Sequence, residues 1–142
     1  TLTPAGSVDF DALVEFDGRH CFGPRPDFLR PWIEGPGREA LVATDGSGGI
    51  TGFAASRRSS GGTRIGPVFA GGQETARSLI LELAERAGGR VAVDVPLPNQ
   101  PAVELLESLG MEQGFETARI YRGPAPELPL AEIFGVTSLE LG

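Results

Sequence analysis

The sequence predicts one α/β domain, in the α+β sense, built on a mixed and mostly antiparallel sheet across residues 1–142. Three observations carry that prediction. Residues 39–70 hold three β-prone runs separated by glycine-rich turns, the pattern of an antiparallel meander. Within residues 71–89, Ala76, Leu79, Ile80, Leu83, Ala84 and Ala87 fall at helical spacing. A short apolar run and a second helical segment follow, an order that returns a strand parallel to the third through a right-handed crossover.

Composition bounds the function. With 142 residues and 40% hydrophobic content, the chain can bury one core and is too short for two ordinary domains. Lysine is absent, all twelve basic residues are arginine, and nineteen acidic residues leave a net charge of −7. That balance opposes a nucleic-acid partner, which calls for a basic face to replace condensed counterions. The single Cys21 excludes an internal disulfide, and together with the single His20 it falls short of a zinc-binding set, so no metal is expected. No apolar run approaches the roughly 20 residues that span a bilayer, and no charged-then-apolar leader is read. A cytoplasmic location without a membrane partner is expected. The chain opens on a loop-like TLTPAGS without methionine, which is read as the start of a piece excised from a longer polypeptide.

The elements follow in order. In SVDFDALVEFDGRHCFG, Ser7 is read as the N-cap, Asp9 and Asp11 suit the positive end of the helix dipole, and Phe10, Leu13 and Val14 form a stripe that ends at Gly18. Asp27 is read as the cap of a single turn that presents Phe28, Leu29 and Trp32 to the core, kept short by Pro31. The runs 39–44 and 50–58 form a hairpin around Asp45-Gly46-Ser47-Gly48-Gly49, and SSGG leads into a third run at 63–70. Proline lacks the N–H a ladder needs, so Gly66-Pro67 inside that run predicts a bulge where the strand diverges from its neighbour. The helix after it has Glu74 in its first turn, Arg86 in its last and Gly88-Gly89 at its close. A strand at 90–95 precedes a second helix that runs from Asn99 to Gly110. Residues 111–123 alternate loosely as a last long strand, and the stretch 133–141 reads equally as a further strand or a docked arm.

This order suggests a crevice. Two parallel strands that each feed a helix start leave helix amides pointing outward, where open α/β sheets bind ligands. Gly71, Gly72, Gln73, Glu74, Thr75 and Ala76 line one helix start. A bulge at Gly66-Pro67 would free the backbone of Val68 and Phe69 for an extended, amide-bearing ligand, with Asn99 on the opposite wall.

Three strands, a glycine-bearing turn into a helix, a short strand, then Asn99, Ala102, Leu105, Leu109 and Gly110 in the pattern N-x-x-A-x-x-L-x-x-x-L-G resemble the acetyl-CoA-binding half of the GNAT superfamily of N-acetyltransferases over about residues 39–123. The FGPRPDFLRPWI opening and IFGVTSLELG ending further resemble the C-terminal GNAT-like domain of tandem bacterial acetyltransferases. The resemblance implies helices on both sheet faces and a splayed parallel strand pair that holds the pantetheine arm of acetyl-CoA. It also implies that the pyrophosphate sits on the amides of the 71–76 turn, that Asn99 caps its helix while facing the channel, and that an N-terminal GNAT domain lies in cis. Asparagine is also among the best N-caps with no ligand at all.

Two positions depart from the family pattern. Glu74 stands where the phosphate turn has a close-approach glycine, and a carboxylate beside a pyrophosphate is repulsive. Leu106 stands where many members carry a proton-donating tyrosine. Acyl transfer needs a base for the amine, an amide to polarise the thioester carbonyl and an acid for the thiolate. Asp94 is the base candidate, with Glu116 behind it, and Tyr121 is the candidate acid; the competing readings are a helix-flanking charge and an ordinary strand aromatic. His20 and Cys21 are adjacent, which seldom lets two side chains face each other, so Cys21 is read as a small core residue. Arg57 and Arg58 are read as a phosphate contact or a solvated rim, and the turn at Asp45 as a turn without a metal.

Three functions remain open. The first is an acetyl-CoA-dependent N-acyltransferase acting on a small-molecule or peptide amine. The second is a degenerate GNAT-like module that forms an interface or substrate wall for a catalytic domain, and the third is a binding module unrelated to acyl chemistry.

Overall fold

Residues 2–4, read from sequence as loop, form an edge strand. In the computed structural model, which describes residues 1–114, 116 and 122–141, β1 (Leu2–Pro4) pairs antiparallel with β2 (Arg38–Thr44). A 3-10 turn at Ala5–Ser7 leads to α1 (Phe10–Arg19) and α2 (Pro26–Glu34). The remaining elements are β3 (Ile50–Ser59), β4 (Gly62–Ala70), α3 (Gln73–Ala87), β5 (Val91–Val93), α4 (Gln100–Ser108) and β6 (Ile133–Gly135). The sheet runs β1-β2-β3-β4-β5, with β6 added beside β4. Among the described residues its one parallel pair is β4 with β5, which makes it the mixed, mostly antiparallel sheet expected.

Caps and turns set the boundaries. Asp9, not Ser7, caps α1: its carboxylate accepts from the Ala12 amide at 3.0 Å, while the Ser7 hydroxyl is spent on Pro4 O inside the preceding turn. Gly18 does not end α1, which continues to Arg19; the chain after it passes so close that a side chain at 18 would meet Pro24 N at 2.9 Å. The single turn expected at Asp27 is nine residues long, because Pro26 opens α2 at a position that needs no N–H. Leu29 and Ile33 are its buried residues, while Phe28 and Trp32 are half-buried. In the β2–β3 hairpin, Asp45 Oδ1 accepts from Ser47 Oγ, Ser47 N and Gly49 N. These bonds, led by the Ser47 hydroxyl, hold the Asp45 carboxyl below its usual value and account for it as turn chemistry.

The sheet separates two apolar layers. Leu79, Ile80 and Leu83 of α3 and Leu105 and Leu106 of α4 cover one face. Leu13 and Phe16 of α1 and Leu29 and Ile33 of α2 cover the other. Consecutive strand residues point to opposite faces, and β6 uses this alternation: Ile133 enters the α1/α2 layer and Phe134 the α3/α4 layer.

At Pro67 strand β4 changes neighbours. Residues Thr63, Arg64 and Ile65 pair with β5, whereas Val68 and Phe69 pair with Gly135 and Ile133 of β6. Opposite the switch, Ala54 pairs with Val68 and Ser56 with Ile65, so Ala55 faces both Gly66 and Pro67, a β-bulge. Of the tail stretch 133–141 left open by sequence, Ile133–Gly135 lies in the gap as a strand, and 136–141 continues without strand structure. Of the last long strand expected at 111–123, residues 111–114 and 116 are irregular and most of the rest falls outside the described residues.

Phe134 is 2% exposed, and Phe134→Ala should cost about 3–5 kcal/mol in urea unfolding, as truncations of buried aromatics do. A side chain at Gly66 would collide with the carbonyl oxygen of Val136 and approach that of Thr137 at 2.9 Å. Gly66→Ala should therefore destabilise by about 1–3 kcal/mol, while Gly89→Ala, with open space around it, should change stability by no more than about 0.5 kcal/mol.

Candidate functional site

The gap that opens between β4 and β5 beyond Pro67 is where the sequence places its ligand crevice, and the structure brings several of the named residues to it. Asn99 forms one wall. Its Oδ1 accepts from Ala102 N at 3.2 Å, capping α4, and its Nδ2 donates to Ile133 O at 2.9 Å. The carboxamide is buried with both ends satisfied. Val68 and Phe69 form the opposite wall, and their backbone is not free: β6 pairs with it. On the other edge of the gap, Val136 N donates to Asp94 O at 2.8 Å.

The strand in the gap fits closely. A side chain at Gly135 would meet Val93 Cγ1 at 2.9 Å and Val68 Cγ2 at 3.2 Å, so only glycine passes there. Beside β6, the space lined by His20, Cys21, Phe69, Ile133 and Val136 has a volume of about 10 Å³, room for about one water. Ligand pockets for molecules of cofactor size occupy roughly 300–1,000 Å³. The backbone that would hold a pantetheine arm is already paired, so acetyl-CoA does not fit this gap with β6 in place.

At the mouth, Gly72 is the N-cap of α3 and no side chain caps the helix. The amides of Gln73, Glu74 and Thr75 lie in a first turn that lacks intrahelical acceptors. Gln73 Nε2 donates to Pro101 O at 3.0 Å, tying α3 to α4 across the mouth. Glu74 and Gly71 are exposed, Gly72 and Thr75 half-buried, and Ala76 packs in the core.

The structure also places the residues considered for proton transfer. Asp94 is half-buried and its two oxygens lie 3.2 and 3.3 Å from Arg64 Nη1, so it serves as the counter-ion of an arginine. Glu116 is exposed and accepts from Gln113 Nε2 at 2.8 Å. Tyr121 lies outside the described residues. Leu106 is 7% exposed within the core. His20 is buried, with Nδ1 2.7 Å from Phe16 O, Nε2 3.1 Å from Glu132, and its ring stacked on Phe69 at 4.8 Å. Cys21 is half-buried rather than fully in the core, and it hydrogen-bonds to the carbonyls of Asp17 and Gly23 rather than to His20. Burial first, then the Asp17 carboxylate, pushes its thiol above the usual value.

A buried ion pair behind the gap went unread in the sequence. Asp17, fully buried, accepts from Arg25 Nε at 2.7 Å and Nη2 at 2.9 Å, and the same Nη2 donates to Thr137 Oγ1 at 2.8 Å. Burial alone would lower the Arg25 guanidinium, but its bonds and charge pairing with Asp17 outweigh that and raise it. The triad fastens the segment after β6 to α1. Nothing in the spacing of residues 17, 25 and 137 signals it; only the burial of a carboxylate, which demands a partner, does.

A family model described as an acetyltransferase (GNAT) domain matches residues 13–135. Holothin acyltransferase of Pseudoalteromonas sp. (strain SANK 73390) is 33% identical over 136 residues, covering 94% of this chain and 46% of that protein. The chain thus spans less than half of that relative. Among solved structures, a candidate acetyltransferase from Pyrococcus horikoshii superposes with a TM-score of 0.72 at 20% identity, covering 99% of this chain and 46% of its own. An acetyltransferase of Trypanosoma brucei gives 0.68 at 18% identity, covering 86% of this chain and 99% of its own. The aminoglycoside antibiotic 6'-N-acetyltransferase of Acinetobacter baumannii gives 0.63 at 14%, covering 88% and 99%.

Replacing Asn99 separates its two bonds. Asn99→Ser retains a capping oxygen but loses the donor to Ile133, so it should destabilise by about 1–2 kcal/mol, and Asn99→Ala, which loses both, by about 2–3 kcal/mol, measured by urea denaturation. At pH 8, Cys21 should be alkylated by iodoacetamide severalfold more slowly than free cysteine, followed by mass spectrometry, and faster as pH rises.

Proposed function

The chain belongs to the GNAT acetyltransferase family, and we propose that it serves an acetyl-CoA-dependent N-acyltransferase as a supporting domain whose own coenzyme gap is closed by β6. The reaction is acyl transfer from the acetyl-CoA thioester to an amine. The amine nitrogen forms a bond to the carbonyl carbon, the C–S bond breaks, a base takes the amine proton, and the thiolate leaves and is protonated. A catalytic GNAT domain in cis, in the part of the longer polypeptide this chain does not span, performs that chemistry. This domain supplies an interface or a substrate wall.

The pairing of Val68 and Phe69 with β6 carries the reading. Family precedent places the coenzyme's extended arm on that backbone, and here the arm's hydrogen bonds are made by the chain itself. Three further observations agree with it. Leu106 cannot protonate a thiolate, Asp94 is committed to Arg64, and Glu74 brings a negative charge to the turn that would face a pyrophosphate. The relative at 33% identity is named an acyltransferase and is about twice as long, which supports acyl transfer as the reaction of the whole polypeptide.

One observation favours a second reading, in which this domain itself takes acetyl-CoA after β6 withdraws. The first turn of α3 opens at the mouth of the gap with no side-chain cap, a ready seat for phosphate oxygens. Thermal unfolding of the chain with coenzyme A up to about 1 mM distinguishes the two. A ligand at 100 times its Kd stabilises a fold by about 2.7 kcal/mol, which moves Tm by several degrees. The supporting role gives a Tm no higher than the same concentration of inorganic phosphate gives. A saturable rise beyond that of inorganic phosphate would show that β6 yields to the coenzyme and would hand the assignment to the second reading, with thiol release against a panel of amines as its next measurement.

A further inference from the structure

Strand register gathers three arginines into a single row. Arg38 of β2 lies opposite Arg57 of β3, and Arg57 lies opposite Arg64 of β4. Directly opposed residues share a sheet face with Cβ atoms about 4.5–5.5 Å apart, and like charges placed so repel one another. All three side chains are half-buried, so water screens that repulsion only in part. In a chain with a net charge of −7, acidic partners are plentiful, yet the row is not neutralised.

The arginines differ in what answers their charge. Arg64 has Asp94. Arg38 and Arg57 have no carboxylate partner among the described residues. Both lie over the Trp32 ring, with guanidinium carbons 4.2 and 5.2 Å from its centre. The indole N–H is anchored on Gly66 O at 3.2 Å, which holds the ring as a floor. Arg38 Nη1 is buried with no hydrogen-bond partner among the described residues. A buried donor left so costs about 1–3 kcal/mol, more when charged. Burial, and then Arg57, lower the Arg38 guanidinium below its usual value, the sign of a cation held beside another cation. Glu140 is near enough for Arg57 and Arg64 to add to the lowering of its carboxyl, which its backbone hydrogen bond and Ser138 lead, but its side chain stays exposed.

We propose that Arg38 and Arg57, on the Trp32 floor, form a seat for an oxyanion, the carboxylate or phosphate group of a small acidic molecule. Such a group accepts from the two half-buried guanidinium groups, relieves the repulsion along the row and matches the planar fork of a guanidinium. The seat is made by β2, β3 and α2 and does not depend on whether β6 leaves the gap, so it stands apart from the function proposed above.

Trp32 is the only tryptophan in the chain, and its emission reports on the seat directly. The chain is titrated at constant ionic strength with inorganic phosphate and, separately, with succinate, each against chloride. The seat gives a saturable change in Trp32 emission and a rise in Tm with at least one of the two. A response to phosphate alone assigns a phosphoryl ligand, to succinate alone a carboxylate ligand, and to both an oxyanion in general. Arg57→Gln and Arg38→Gln should each weaken the response about tenfold or more, as loss of a charged hydrogen bond does. The exposed Arg90→Gln should leave it unchanged. Arg57→Gln keeps the test intact if Arg38→Gln fails to fold. A response no different from chloride, or one retained in both variants, overturns the proposal.

Discussion

A strand that loses its neighbour halfway along must find another, and the pairing of β6 with β4 beyond Pro67 is the interaction the rest of this structure depends on. Without it, the backbone at Val68 and Phe69 would stand buried and unpaired, at a cost of about 1–3 kcal/mol for each unsatisfied group. Ile133 and Phe134 would also leave holes in both apolar layers. The arrangement is held from all sides. Asn99 grips Ile133, Asp94 takes the Val136 amide, and Arg25 links Thr137 to the buried Asp17. Each contact answers a local demand for a partner, and together they leave no room for anything else in the gap.

That economy bears on how a fold associated with coenzyme binding can be put to another use. Parallel strands that part at a bulge present unpaired backbone, and such an edge takes an amide-bearing ligand or a β-strand with the same hydrogen bonds. Here the strand is covalently part of the domain and faces no association entropy, an advantage of several kcal/mol over any free molecule. The helix amides of α3 persist at the mouth, so the outward geometry of the family remains while its interior is filled.

Much of this was legible in the amino acids. The periodicity of residues 73–87, the glycine turns of the meander and the Asn99 cap rest on local preferences, and local preferences survive into the fold. Pro67 marked the divergence because its missing N–H acts at its own position. What fills the gap was not legible, since 133–135 is only three residues and its partner lies some 65 residues earlier. β1 was missed for the same reason: a three-residue edge strand ending in proline has little propensity and is made by its neighbour. Asp17 and Arg25 carry no signal in their spacing, and burial is what pairs them. The arginine row becomes visible only after the register of three strands is known, because residues 38, 57 and 64 carry no spacing that distinguishes them from a solvated rim.

The placement of Phe134 and Ile133 has a further consequence, for the order of events at the ribosome. Both layers wait for side chains that are synthesised some 65 residues after their β4 partners, so a nascent chain that has completed α4 still carries an open β4 edge and two unfinished cores. Native pairing of β4 with β6 spans a large sequence separation, a slow step in any fold. During that interval the domain is at its most vulnerable to chaperone capture or strand exchange with another copy, and β6 acts as the latch that ends it.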